Sequence, residues 1–389
     1  MSGKALLSKQ RQARRALLTK IYEPALRLQK GSLEYAELAS SGRIWEDYFR
    51  PGNSLEKGYV GFQQEHKRML DEIDALKASL PTAELGKTMV SEYAQQSVMI
   101  ENNHLTVRDA KRILESLQTG VFRRVDLAST SSSELATIVT SETEGGTDSA
   151  TNELRNHIVA SQWIAEGAAA KARTAGLRED EVRDLAVVCI RNTESEAAYE
   201  ASRGGYEAGG PKAGTLVWGA RVPLGEYRNL PIAVRSNRLR IFPYPQEVPA
   251  CVARFFEWRD TQHREKALHP LVLACQMTAY FVHVHPFPDG NGRISRMIKQ
   301  DYLTRQGYLP VVIPGLERKD YLRMIDDACE GKPGELVAAV IEAQQAALHM
   351  FSTRCPLTDN LGHVQKPVCL GDRAPKGWVE KDPENGSCS

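Results

Sequence analysis

Apolar residues recur at helical spacing along most of this chain. Within 57–80, Met69, Leu70, Ile73, Leu76 and Leu80 fall on one face of a 3.6-residue period. Pro81 breaks that run, and Thr82 or a neighbour is placed to cap the next helix. Residues 84–100 continue with Leu85, Met89, Val90, Tyr93, Val98 and Ile100, and further helices are predicted over 152–171 and 179–192. From Gln246 onward Val248, Val252, Phe255 and Phe256 restore the helical pattern. The most apolar stretch, HPLVLACQMTAYFVHVHPF (269–287), is too long for a strand and is predicted as a buried helix with Pro270 in its first turn. Ile294, Met297, Ile298, Tyr302 and Leu303 define the next helix, which Gly307 ends, and 317–350 supply one or two more.

Four stretches break the pattern. Residues 129–151 are rich in Ser, Thr and Gly and read as a surface loop or insertion. Residues 202–225 carry many glycines and two prolines and read as a long irregular loop. In 226–245, Ile232 and Val234, then Leu239 and Ile241, alternate about Ser236 and Asn237, the pattern of a β-hairpin. The tail from Pro356 has no period and is predicted to be disordered. No internal repeat is visible.

Composition narrows the function classes. A chain of 389 residues with 42% hydrophobic and 25% charged residues has the make-up of a globular protein, and its length allows two or three domains. The net charge of +1 gives no global reason to expect nucleic acid, and no apolar run is long enough for a membrane span. The seven cysteines form no CxxC pair, which argues against zinc and a disulfide framework and suits a reducing compartment. Residues 1–22 hold six Lys and Arg residues and no acid. A solvated basic helix and a cytoplasmic location are the primary expectation; a mitochondrial presequence or a surface-binding amphipathic helix is the alternative.

The stretch HPFPDGNGRISR (285–296) concentrates unusual chemistry. It lies between two predicted helices, so 289–292 would sit at the second helix's N-terminus, where backbone N–H groups lack intrahelical partners. Glycines at 290 and 292 permit positive φ, so successive N–H groups can face an anion, aided by the helix dipole. Arg293 and Arg296 share a face and suit phosphate oxygens. Asp289 beside phosphates implies a cation, and one carboxylate with phosphate oxygens and water is the usual magnesium arrangement. His285 has the titration range of a general base. Each part has an ordinary alternative: a helix-end histidine is often structural, and paired arginines often make surface ion pairs. The conjunction in this order favours the functional reading. His283 and His285 also form an HxH, but i and i+2 face apart on a helix, which argues against a shared metal.

Every fixed position of this stretch resembles the Fic-family motif H-P-F-x-[D/E]-G-N-G-R-x-x-R, and the resemblance extends over roughly 85–350. It implies a mainly α fold, a Fic-type helical bundle with a small β-hairpin flap (about 226–245) over the active-site loop. It also implies transfer of AMP from ATP, with Mg2+, to a Ser, Thr or Tyr hydroxyl of a target protein. By resemblance His285 is the base, Asp289 the magnesium ligand, and Gly290, Asn291 and Gly292 the anion hole. Arg293 would hold the β-phosphate and Arg296 the γ-phosphate. Ile232 and Val234 in the flap would register the target segment by strand pairing.

A second motif, SVMIENN (97–103), places Ser97 and Glu101 at i and i+4. Glu101 has no cation at helical spacing, so it can pair across the fold. The motif resembles the Fic inhibitory sequence [S/T]-x-x-x-E-[G/N], here ahead of the core in an inhibitory helix of about 85–103. The resemblance implies that Glu101 pairs with Arg296 and displaces the γ-phosphate, with Ser97 and Asn102 steadying the contact. The domain expectation is an N-terminal helical region 1–84, a Fic domain 85–350 and a tail 351–389. ERKDYLRMIDDACEG (317–331) departs from many relatives: Leu322 and Cys329 replace a tyrosine and an asparagine of the base pocket, which leaves nucleotide base preference open. Removal of AMP on the same site, and a non-catalytic nucleotide-binding regulator, are the alternatives. The target protein, self-modification and oligomeric state are not fixed by the sequence.

Overall fold

A computed structural model describes residues 3–45, 54–141, 148–196, 222–229, 231–232, 234 and 240–354. The expectations for most of 202–225 and for the tail from 355 lie outside the described residues. The labelled helices are α1 (Gly3–Ile21), α2 (Ser54–Glu65), α3 (Lys67–Ala78), α4 (Thr82–Thr88), α5 (Val90–Met99), α6 (Val107–Thr119), α7 (Ser132–Ser141), α8 (Ser149–Ala170), α9 (Glu179–Ile190), α10 (Val248–Glu265), α11 (Pro270–Val284), α12 (Asn291–Arg305), α13 (Arg318–Cys329) and α14 (Gly334–Arg354). Among the described residues there is no strand. The hairpin expected over 226–245 is therefore not seen: Ile232 and Val234 are half-buried and outside any strand, and its turn at Ser236 and Asn237 lies outside the described residues.

The two helices that flank HPFPDGNGRISR form the centre. Helix α11 is buried on every side from Leu271 to Phe281, as a sequence apolar but for Gln276 and Thr278 requires. Helix α12 is equally buried but polar: Arg293, Ser295, Arg296, Lys299, Gln300, Asp301 and Arg305 all lie within the protein. Burying so many polar groups is costly unless each is paired, and the partners of Arg293 and Arg296 define the site below. Helix α8 packs on α12, α5 and α9 through an apolar face that includes Leu154, Ile158 and Ile164. It starts at Asp148, whose Oδ1 accepts the Thr151 N–H at 3.0 Å, a side-chain N-cap.

The predicted α4–α5 region is two helices that break at Met89, and the N-cap position before α4 is Pro81, the neighbour of Thr82, with no side-chain cap. The loop expected over 129–151 is corrected by α7. Leu135 and Val139 are fully buried at i and i+4 against α9, and the Ser131 N–H donates to Glu134 Oε2 at 2.8 Å at the helix start. An apolar pair at helical spacing plus a Ser-x-x-Glu start outweighed the loop-like composition. The basic N-terminal helix is docked along part of its length: Ile21 is buried, Leu17 and Leu18 pack on the core, and Arg14 Nη1 donates to the Arg240 carbonyl at 2.9 Å. Residues 351–354 continue α14, with Phe351 buried, so the start of the expected tail is helical.

Candidate active site

The site begins where α11 ends. His285 closes that helix in the left-handed region, φ 51° and ψ 59°, a conformation uncommon for a non-glycine residue. Its Nδ1 lies 3.0 Å from the Val282 carbonyl, which can only accept, so Nδ1 carries the proton and Nε2 keeps a lone pair. The ring rests against Phe242 at 4.7 Å between centroids. Desolvation pulls the His285 pKa down to about 4, with the Val282 carbonyl opposing and nearby Arg228 and Arg240 adding to the fall. His285 is therefore a neutral base at physiological pH. His283 points elsewhere, against Trp45, as the i, i+2 geometry requires.

Arg228 holds the backbone of this corner. Its Nε donates to the His285 carbonyl and its Nη2 to the Pro243 carbonyl, both at 2.7 Å, while its N–H bonds the Pro286 carbonyl at 2.9 Å. Sequence reading passed over this residue, one of four arginines in 226–245 that nothing local sets apart. Asn291 closes the loop from within: its Oδ1 accepts the Phe287 N–H at 2.9 Å and its Nδ2 donates to the Phe287 carbonyl at 2.8 Å. The Asn291 side chain is thus committed to the loop, and only its backbone N–H is available to an anion. Gly290 precedes α12 with φ +83°, which a side chain would strain.

Asp289 is exposed. Its Oδ2 accepts from Ser195 Oγ at 2.6 Å and Arg293 Nη2 at 3.1 Å. Desolvation opposes its ionisation, but Arg293, the Ser195 hydroxyl and the Gly290 N–H outweigh it and hold the carboxyl below its ordinary range. Its Oδ1 makes no side-chain hydrogen bond among the described residues. No group of three or more His, Cys, Asp or Glu side chains that could enclose a metal exists among the described residues. One exposed carboxylate beside the N-terminus of α12 fits a magnesium ion that phosphate oxygens and water would complete.

The 97–103 segment reaches this loop. Arg296, whose side chain is 4% exposed, donates from Nη2 to Glu101 Oε1 at 2.6 Å and to the Ser97 carbonyl at 2.8 Å. Its Nε donates to Ser97 Oγ at 2.6 Å, and its guanidinium lies over the Tyr321 ring at 5.4 Å. Desolvation opposes the Arg296 charge; Glu101 and Tyr321 together more than restore it. Tyr93 OH donates to the Arg296 carbonyl, fixing α5 to α12. A Cβ added at Gly292 would lie 2.6 Å from Glu101 Oε1, so the carboxylate sits against the N-terminus of α12 itself. Ser97 and Glu101 are brought together with Arg296 as expected. Asn102 is not: its side chain is exposed, and the residue supplies a left-handed turn, φ 70°, at the end of α5. The next residue, Asn103, is the buried one.

Two further groups went unnoticed in the sequence. Glu153, on α8, accepts from Arg293 Nη1 at 2.5 Å. Lys299, one turn beyond Arg296, is buried in a small cavity lined also by Tyr93, Ser97, Arg296 and Tyr321. Desolvation lowers its pKa to about 8, and Arg296 adds to the fall. Cys329 packs inside, with its thiol toward the Ala279 carbonyl at 3.5 Å, and Leu322 is half-buried.

The Fic/DOC family model matches residues 210–303, which contain the whole 285–296 loop. Protein adenylyltransferase Fic of Drosophila virilis is 31% identical over 150 residues, 36% of this chain and 30% of that protein. The protein of the same name in Drosophila melanogaster is 33% identical over 127 residues, 33% of this chain and 25% of that protein. The match thus spans less than a third of the length of these relatives. Among solved structures, Fic-1 from C. elegans superposes with a TM-score of 0.51 at 14% identity, covering 91% of this chain and 99% of that one, which supports the helical fold. Residues 210–303, which include every residue of the 285–296 loop, thus match the Fic/DOC family model within a helical fold similar to that of Fic-1.

Proposed function

We propose that this protein transfers AMP from ATP to a hydroxyl of a target protein, and that Glu101 holds it in a self-inhibited state. The observation that carries the reading is the Arg296–Glu101 pair at 2.6 Å beside the start of α12. That guanidinium is the group a terminal phosphate would claim.

The chemistry follows from the loop. The target's Ser, Thr or Tyr hydroxyl gives its proton to Nε2 of His285, whose lone pair is left free by the Nδ1 bond to Val282. The hydroxyl oxygen then attacks the α-phosphorus of ATP in line, forming a new P–O bond. The bond to the β-phosphate oxygen breaks, and pyrophosphate leaves with its electron pair. N–H groups at the start of α12 would face the α- and β-phosphates, with Arg293 on the β-phosphate. Asp289 would hold the magnesium ion, which supplies charge neutralisation on the phosphate oxygens. Protein substrates would lie along 226–245 near Ile232 and Val234. ATP is the first-choice nucleotide; a buried Cys329 offers the base little hydrogen bonding, so another base is to be tested beside adenine.

A second reading uses the same residues in reverse. Glu101 Oε2 makes no hydrogen bond among the described residues, and its side chain is 31% exposed, so it could orient a water toward the phosphorus of an AMP-modified target. The experiment is incubation of wild type, Glu101→Gly and Glu101→Gly/His285→Ala with labelled ATP and magnesium. Label confined to the single variant supports transfer. No label in any protein favours a non-catalytic nucleotide-binding regulator or a different nucleotide. Loss of AMP removal from a pre-modified target in Glu101→Gly supports the second reading.

A further inference from the structure

The segment that carries Glu101 also reaches the other loop arginine, through Glu153. Asn103 is 5% exposed and fully engaged: its Oδ1 accepts the Leu105 N–H at 3.0 Å, and its Nδ2 donates to the Ala150 carbonyl and to Glu153 Oε2, both at 2.9 Å. Glu153 Oε1 accepts from Arg293 Nη1 at 2.5 Å, and Arg293 Nη2 reaches Asp289 at 3.1 Å. Both partners of Glu153 are donors. A carboxylate offers an oxygen to each; a carboxamide offers one oxygen and sets its NH2 against the other donor. Arg293 is itself buried, so its guanidinium needs the charge it meets there.

Resting on the adenylyl-transfer reading, in which a β-phosphate takes Arg293, we infer that Glu153 is a positioning residue. It ties the inhibitory turn to Arg293, so that a phosphate arriving on Arg293 loosens the turn holding Glu101. In that arrangement the nucleotide does not need to displace Glu101 from Arg296 first. Competition for Arg293 frees Glu153, Glu153 slackens its hold on Asn103, and the turn at 101–103 gains freedom. The coupling is reciprocal: a loosened turn leaves Arg293 more available to phosphate.

Magnesium ADP is the discriminating probe, because it presents a β-phosphate to Arg293 and no γ-phosphate to Arg296. The measurement is native-state hydrogen exchange of backbone amides at 98–106 in the full chain, with and without magnesium ADP. Wild type, Glu153→Gln and Asn103→Ala are compared, the last cutting the link at the end away from the phosphate site. In wild type, magnesium ADP is expected to speed exchange at 98–106. Both variants are expected to exchange about tenfold faster there without nucleotide, the order expected for losing a buried hydrogen bond to a charged group. Neither is expected to gain further exchange on adding magnesium ADP. Exchange at 98–106 that is unchanged by either substitution, a wild type that does not respond to magnesium ADP, or the same ADP increment in Glu153→Gln as in wild type overturns the inference. Unchanged exchange in α11 shows that the fold is intact. AMP transfer by Glu101→Gly is scored separately. Coupling without transfer defeats the chemical reading and leaves the bridge standing; transfer without coupling does the reverse.

Discussion

Replacing Glu101 should release the enzyme by an amount the geometry bounds. The pair joins a fully buried guanidinium to a carboxylate that is 31% exposed, at 2.6 Å. Unit charges about 4 Å apart at an effective dielectric near 20 attract by about 4 kcal/mol, and desolvation removes part of that gain. A hydrogen bond to a charged group nets about 1.5–3 kcal/mol, and the partial exposure of Glu101 keeps the latch within that range. If 2–3 kcal/mol must be supplied to free Arg296, the open form is populated at about one part in 30 to one in 150. Glu101→Gly should therefore raise initial rates of ATP-dependent self-labelling roughly 30- to 150-fold. Glu101→Gln keeps an oxygen for the Arg296 N–H but not the charge, so its rate should fall between, near tenfold. The same loss should lower thermal stability without nucleotide, since among the described residues the Arg296 guanidinium keeps Ser97 and Tyr321. Magnesium ATP should then restore stability more in the variants than in wild type. The assay is initial-rate label incorporation at saturating ATP, paired with thermal unfolding. Equal rates in all three proteins, or activation by Glu101→Gln as large as by Glu101→Gly, would refute the ion-pair latch.

Further outcomes follow from neighbouring residues. His285 is depressed to about 4 and stays neutral through physiological pH, so labelling by Glu101→Gly should show no acid limb between pH 6 and 8 from this group; a His285 ring titration near pH 6.5, followed by NMR, would contradict its environment. Because the unfolded chain binds this proton at a higher pH than the folded one, His285 should make stability fall as pH drops from about 6.5 toward 4, an effect His285→Asn should remove in urea titrations. Asp289→Asn should raise the magnesium concentration needed for half-maximal labelling about tenfold or more, while thermal stability changes little because the group is exposed; unchanged magnesium dependence would remove it from the cation's coordination. Lys299→Met removes a buried ammonium one turn from Arg296 and should raise the midpoint of thermal unfolding at pH 7; a fall would mean that Lys299 has an anionic partner.

Much of the site was legible because it is local. The 285–296 loop joins two helices whose apolar patterns are unambiguous, so the positions of His285, Asp289, Arg293 and Arg296 follow from chain order and helix geometry. The Glu101–Arg296 pairing was legible for a different reason: a carboxylate with no cation at helical spacing, in a segment resembling an inhibitory motif. What was missed is long-range. Glu153, Arg228 and Ser195 meet the loop from 140, 57 and 94 residues away in sequence, and nothing in their own surroundings marks them. Asn102 and Asn103 were exchanged in role because the sequence does not say which of two adjacent asparagines turns outward. Helix α7 was hidden by the opposite error, where Ser and Thr content outweighed the spacing of Leu135 and Val139. The loop glycines were read as an anion cradle; the tight fit of Glu101 against Gly292 is a packing fact that only coordinates provide.

The central claim concerns which phosphorus is attacked and which group takes the proton. It is tested most directly by incubating Glu101→Gly and Glu101→Gly/His285→Ala with ATP radiolabelled at either the α- or the γ-phosphate, in magnesium buffer, and counting label bound covalently to protein. Label from the α-position alone, in the single variant alone, is the expected result. Label from the γ-position, or α-label undiminished when His285 is replaced, would contradict it.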